Sequence, residues 1–221
     1  MIAGLLALAL LQTPIDQGTL VIRQDSVDVA HESFRLTAGR LSAGNAGWAL
    51  AATVRYDRVR PVLSLAPILE VGADSLPLAL QYDVADPREP LRILGQLGRG
   101  RLTVRIITRS VERAREFPAT GNTVVLDDSV YAFYSFAAWR ARAAPMAINA
   151  IFPRALRRET LTVADVGLES VTVNHDTLTL RHITIRGGLN GVVDLWLDAA
   201  GLLQRIEIPS RHVVVERLPS S

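Results

Sequence analysis

Neither cysteine nor lysine occurs anywhere in this chain. Without cysteine there are no disulfides, no thiolate metal ligands and no thiol nucleophile. A thiol-free chain suits an oxidising compartment and the cytosol equally well. Without lysine, all 24 strong bases are arginine, set against 22 acids for a net charge of +2. The pI near 9.5 therefore reflects the high pKa of arginine, and the chain lacks the one-signed field that nucleic acid attracts. Aromatic residues are scarce at 5%, yet 49% of the chain is hydrophobic, which sets it apart from disordered sequences. Long apolar runs are missing too, except at the N-terminus, so nothing beyond that point reads as a membrane-spanning helix.

That exception, MIAGLLALALLQTP, holds an uncharged run from Ile2 to Leu11. It is too short to cross a bilayer, which needs ~20 apolar residues, and has the length of a signal-peptide core. No arginine precedes it and no A-x-A site follows it. The expectation is a signal peptide over residues 1–17, a periplasmic or secreted protein, and a single β-rich domain over 18–221. The alternative is an N-terminal strand or helix that folds with the domain.

From Gly18 onward, short apolar runs alternate with period two and are separated by Gly, Asn, Asp and Pro, the signal of antiparallel strands in a meander. Strands are expected at about Thr19–Arg23, Val27–Leu36, Trp48–Tyr56, Val62–Val71, Leu76–Tyr82, Leu91–Gln96, Leu102–Thr108 and Val111–Phe117. Further along come Ala147–Phe152, Thr160–Val163, Leu168–Val173, Thr177–Ile185, Val192–Leu197, Leu202–Ile208 and Val213–Arg217. No linker divides the halves and no repeat relates them.

One segment differs. LDDSVYAFYSFAAWRAR, Leu126 to Arg142, reads as a helix, with Asp127 or Asp128 to cap its start, Arg140 and Arg142 suited to its end, and Pro145 to stop it. It carries Tyr131, Phe133, Tyr134, Phe136 and Trp139, five of the twelve aromatics. Each aromatic side chain can bury ~150–250 Å², so the segment belongs against the sheet, either as the main core element or as the lining of an apolar cavity.

In GVVDLWLDAAGLLQRIEIP, Asp198-Ala199-Ala200-Gly201 reads as a type I turn closed by a glycine bulge. That register places Leu197 opposite Leu202, Leu195 opposite Gln204 and Val193 opposite Ile206. On the other face Trp196 meets Leu203 and Asp194 meets Arg205. Trp196 would then sit on a half-wet face, supported by Leu203 and rimmed by an ion pair.

In order along the chain stand HESFRL, LPLALQYDV, VVLDDSVYAFYSF, LESVTVN and VVDLWLDAAGLLQRIEIP. Their succession resembles a group of bacterial envelope proteins of unknown function that look distantly like periplasmic lipoprotein carriers. In those carriers a strongly curved antiparallel sheet wraps helices and can hold acyl chains in its hollow. The resemblance implies an exported, non-catalytic, incomplete-barrel protein with affinity for lipid or another apolar ligand. One internal helix is a departure from the carriers, and no residue role is carried over.

Catalytic signatures are missing: no G-x-S-x-G elbow, P-loop, H-E-x-x-H or dinucleotide fingerprint. Of the four histidines, His175 falls in a turn, His182 lies mid-strand beside the Trp196 hairpin where it could face a groove, and His31 points to the opposite face from Glu32. Asp127-Asp128 is accounted for by capping, and Asp194 with Asp198 by the hairpin. Arg154, Arg157 and Arg158 form the densest basic cluster, a solvated surface or a contact for anionic head groups.

The expected fold is thus mainly β: a large curved antiparallel sheet or incomplete barrel with one aromatic helix packed on its concave side. The expected function is non-catalytic binding or carriage of a lipid or other apolar ligand in the envelope. Tyr131, Phe133, Tyr134, Phe136, Trp139, Trp196, Leu203 and His182 are the candidate ligand-binding residues. No catalytic residue, metal, cofactor or nucleic-acid partner is expected, nor a transmembrane segment in the mature chain. Two alternatives stand: an assembly protein docking an envelope partner through the Trp196 face, and, further off, a hydrolase built from distant strands, which a histidine within reach of a carboxylate in a cleft would revive.

Overall fold

The computed structural model describes residues 13–42, 44–58 and 60–219; the apolar run Ile2–Leu11, and with it most of the expected leader, lies outside them. Fifteen strands form one sheet: β1 (Thr13–Gln24), β2 (Val27–Arg40), β3 (Ala46–Tyr56), β4 (Leu63–Gly72), β5 (Pro77–Ala85), β6 (Leu91–Gly98), β7 (Arg101–Ile107), β8 (Glu112–Pro118), β9 (Thr123–Val125), β10 (Met146–Phe152), β11 (Arg157–Val173), β12 (Asp176–Arg186), β13 (Val192–Leu197), β14 (Leu203–Ile208) and β15 (Val213–Arg217). The spatial order is β8-β7-β6-β5-β4-β3-β2-β1-β15-β14-β13-β12-β11-β10-β9. Two meanders therefore run outward from a seam where β1 pairs with β15. Neighbours are antiparallel except β9, which runs parallel to β10. The sheet curls but stays unclosed, with β8 and β9 as its edges.

Period two explains why the curl has an inside. In β2, Ala30, Glu32, Phe34 and Leu36 are buried while His31, Ser33 and Arg35 are exposed, and a one-residue slip would exchange the two sets. The inward sets of all the long strands merge into one hydrophobic core. β1 begins at Thr13, ahead of the expected domain start at Gly18, and its Asp16 is buried in an ion pair with Arg217 of β15. The strands expected at Thr160–Val163 and Leu168–Val173 are one element, β11, interrupted only by a bulge between Asp165 and Gly167. β9 went unforeseen; three residues are too few to show a period.

The aromatic segment corrects the helix expected over Leu126–Arg142: only Tyr134–Ala138 is helical (α1), and it has no side-chain cap. Asp127 does not cap it. Its carboxylate accepts the Ser129 N–H at 2.8 Å and two bonds from Arg154, both 2.8 Å. Glu32 of β2 accepts the N–H groups of Tyr131 at 2.7 Å and Ala132 at 3.0 Å. Orphan backbone donors that a regular helix start would leave for a cap are here bound by a strand residue. Tertiary hydrogen bonds have replaced helical ones, so propensity did not decide the conformation.

Candidate ligand-binding site

The sequence-predicted residues fall into two separate places. Tyr131, Phe133, Tyr134 and Phe136 fill the inside of the curl, none more than 1% exposed. Trp139 packs at their end, partly buried, its ring edge-on to Phe136 at 5.3 Å and to Trp48 of β3 at 5.4 Å. Tyr131 stacks on Tyr134 at 6.3 Å. These rings meet one another and the inner faces of the strands. Around them lie the buried Glu32 and Asp127 carboxylates, the latter paired with the half-buried Arg154, which also donates to the Ser129 hydroxyl at 2.7 Å. Glu32 is fully buried; burial pushes its carboxyl up to about 7, two backbone N–H bonds pull it down and Asp127 pushes it further up.

His182 and Trp196 lie on the outer face, and here the expected register needs correction. The turn itself is as expected: Gly201 takes φ +79 and donates its N–H to the Asp198 carbonyl at 2.9 Å. Beyond it, Leu197 pairs with Leu203, a bulge follows, and Trp196 faces Arg205 while Asp194 faces Glu207. Leu203 therefore turns inward to the main core and does not support Trp196. The expected Asp194–Arg205 pair is absent: Asp194 binds His182 Nε2 at 2.9 Å, and Arg205 pairs with Glu207 and Glu216. The physical reason is the bulge, which adds a residue to one strand and changes which side chains share a face.

A ladder of outward residues, His182–Trp196–Arg205–Glu216, crosses β12 to β15. His182 stacks on Trp196 at 4.9 Å and 11°. Its Nδ1 lies 2.9 Å from Glu169, and the Trp196 N–H donates to the same carboxylate at 3.0 Å. Glu169 comes from the part of the β11–β12 hairpin that extends past β10 and β13 as a two-stranded arm. Such a hairpin is marginal alone. Val173 and Leu180 of the arm pack on Trp196, which is 5% exposed, and Arg205 donates to the Thr172 carbonyl at 2.9 Å. Carboxylates thus bracket His182, Glu169 at Nδ1 and Asp194 at Nε2, both at 2.9 Å.

Arg154, Arg157 and Arg158 are engaged as well. Arg154 binds Asp127, Arg157 binds Asp128 and Glu159, and Arg158 donates to Asn149.

Sequence reasoning missed a groove of about 520 Å³ on the outer face of β4 to β7, bordered at one end by Ser42. Strand registers build it as two rows. Ile68–Gln81–Leu94–Arg105 is one and Glu70–Ala79–Gln96–Thr103 the other. Ile68 and Leu94 from the first row and Ala79 from the second make an apolar zigzag between the polar side chains, and Ile68 is 44% exposed. The four strands span about 14 Å, three spacings of ~4.8 Å. Beneath the floor, Gly95 faces Leu80, and a Cβ there would sit 2.9 Å from the Leu80 Cβ. Glu70 accepts the Ser42 hydroxyl at 2.6 Å, and Arg105 donates to Glu112 at 2.7 Å. The volume lies within the ~300–1,000 Å³ usual for ligand sites. The signal available in the sequence was Ile68 itself, an apolar residue on the wet parity of its strand.

This geometry defines a β-barrel-like protein with an unclosed sheet and a small apolar groove outside it. Solved structures share the fold. A β-barrel-like protein of the domain of unknown function DUF1849 from Brucella abortus superposes with a TM-score of 0.54 at 11% identity, covering 95% of this chain and 96% of that one. A DUF1089 family protein from Pseudomonas aeruginosa gives a TM-score of 0.52 at 16% identity, covering 84% of this chain and 92% of that one. Likeness at these identities is one of fold. No protein-family model matches the chain, and no curated protein matches it.

Proposed function

We propose that the protein is an exported, non-catalytic envelope protein that binds a lipid or comparable amphipathic ligand in the groove of β4 to β7, in the manner of a carrier. The observation that carries this reading is the apolar set Ile68, Ala79 and Leu94, with Ile68 44% exposed, within a groove of about 520 Å³. Leaving such a surface wet forgoes ~25 cal/mol for each Å² that a ligand would cover. In this reading the Tyr131–Trp139 rings are the filling of the curl, because a ligand placed among them would have to displace side chains already in contact. Docking of a protein on Trp196 would likewise have to displace Glu169, His182 and Arg205.

The test is uptake of Nile red by the purified chain, with mass spectrometry of any co-purified acyl species. Wild type is expected to bind the dye and Ile68→Asp to lose it while keeping its circular dichroism spectrum. No uptake by wild type, or undiminished uptake by Ile68→Asp, would overturn the groove as the site.

A further inference from the structure

The two edges of the unclosed sheet differ. β9 is buried, none of its residues more than 1% exposed. β8 has β7 as its only strand neighbour, and Glu112 to Glu116 are all exposed. We infer that β8 is a docking edge, where an extended segment of another protein with acidic residues at alternate positions adds itself as an antiparallel strand. Main-chain geometry supplies the template. The Thr108 N–H donates to the Val111 carbonyl and the Ala119 N–H to the Gly100 carbonyl, both at 2.9 Å. Bonded pairs alternate along an antiparallel ladder, so the odd-numbered residues of β8 exchange bonds with β7. The N–H and C=O groups of Glu112, Ala114 and Glu116 therefore point away from β7, ready for one more strand. Pro118, which has no N–H, ends that row.

Side chains select the occupant. Period two puts Arg113 and Arg115 on the face of the buried Phe117, and Glu112 and Glu116 on the other. Both glutamates are paired with arginines of β7, Glu112 with Arg105 and Glu116 with Arg101. Among the described residues, Arg113 has no ion pair or hydrogen bond, and Arg115 donates to the Leu156 carbonyl at 2.8 Å but meets no carboxylate. An added strand thus faces two uncompensated guanidinium groups, two residues apart on one face, and acids opposite them give favourable cross-strand pairs. A second copy of β8 does not fit. The free groups require even-numbered residues to pair with even-numbered ones, and each such two-fold register sets like against like. Glu112, Arg113, Arg115 or Glu116 meets itself, or, centred on Ala114, Glu112 meets Glu116 and Arg113 meets Arg115.

Fluorescence anisotropy of the full chain with labelled threonine heptapeptides tests this, with glutamate, glutamine or lysine at the third and fifth positions. The glutamate peptide is expected to bind about tenfold or more tightly than the glutamine one, and the lysine peptide least. Arg113→Glu with Arg115→Glu should reverse the order of the two charged peptides. Ala114→Pro deletes a donor that serves no bond to β7, a change an edge strand tolerates. It should weaken the glutamate peptide by about tenfold or more while the circular dichroism spectrum holds. No binding of the glutamate peptide by wild type, or equal binding of the lysine peptide, would overturn the acidic partner. Undiminished binding by Ala114→Pro would assign the affinity to the arginine side chains and overturn strand addition. A dimer of the free chain that Ala114→Pro abolishes would give the edge to a second copy instead.

Discussion

Changing Glu32 to glutamine probes the interior most directly. The Glu32 carboxyl is fully buried, bonded to the backbone of Tyr131 and Ala132, and pushed from 4.5 up to about 7, chiefly by burial. In the unfolded chain it titrates near the ordinary value. Between those two values the folded protein holds a proton that the unfolded chain has released, so stability falls as pH rises. The stabilisation is complete below the unfolded pKa and is lost as pH passes through the folded one. At ~1.36 kcal/mol per pH decade, the loss comes to about 3 kcal/mol between mildly acidic and mildly basic solution. Glu32→Gln cannot titrate. Its amide would set one N–H against a backbone N–H, a penalty of about 1–3 kcal/mol that does not vary with pH. Urea denaturation of both proteins from about pH 5 to about pH 8 is the assay. Wild type should lose about 3 kcal/mol more than the variant across that range, the other carboxylates cancelling in the difference. Parallel pH profiles would refute the reasoning.

Three other perturbations follow from the packing. Phe136→Ala removes a ring that touches Trp139 inside the curl and should cost about 3–5 kcal/mol, read from the denaturant midpoint; a loss below 1 kcal/mol would mean the interior is loosely filled. Arg154→Ala strands the buried Asp127 carboxylate and should destabilise by about 3–5 kcal/mol at neutral pH, with part of the loss recovered in acid. Trp196→Phe deletes the N–H that Glu169 accepts, so amide exchange over 166–180 should quicken while protection in β2 and β3 holds. Uniform exchange in both regions would show that the arm is not held through Trp196.

Legibility in the sequence followed the local periodicity. The strand pattern of β2 could be read because one face is wholly buried and the other wet, which leaves a single parity. The partners across β13 and β14 could not, because a bulge between Trp196 and Leu197 shifts the register and no letter announces it. Hence the turn alone puts Leu203 on the wrong face. The aromatic run reads as a helix by its capping and stop residues, but two of its N–H groups are bound by Glu32, 99 and 100 residues away. The groove follows from register for a related reason: Ile68, Ala79 and Leu94 are outward residues of three different strands, brought together only by the pairing of those strands.

By itself, the amino-acid order determined that the chain is a β meander of alternating strands with an aromatic segment to be buried by it. Those properties come from interactions within a few residues: alternation, turn chemistry and side-chain size. Only the folded chain decided that Glu32 would hold the aromatic segment, that His182 and Trp196 would stack beneath the arm, and that three scattered apolar residues would line one groove. Each depends on the register between strands and the curl of the sheet, which are set by the whole set of pairings at once.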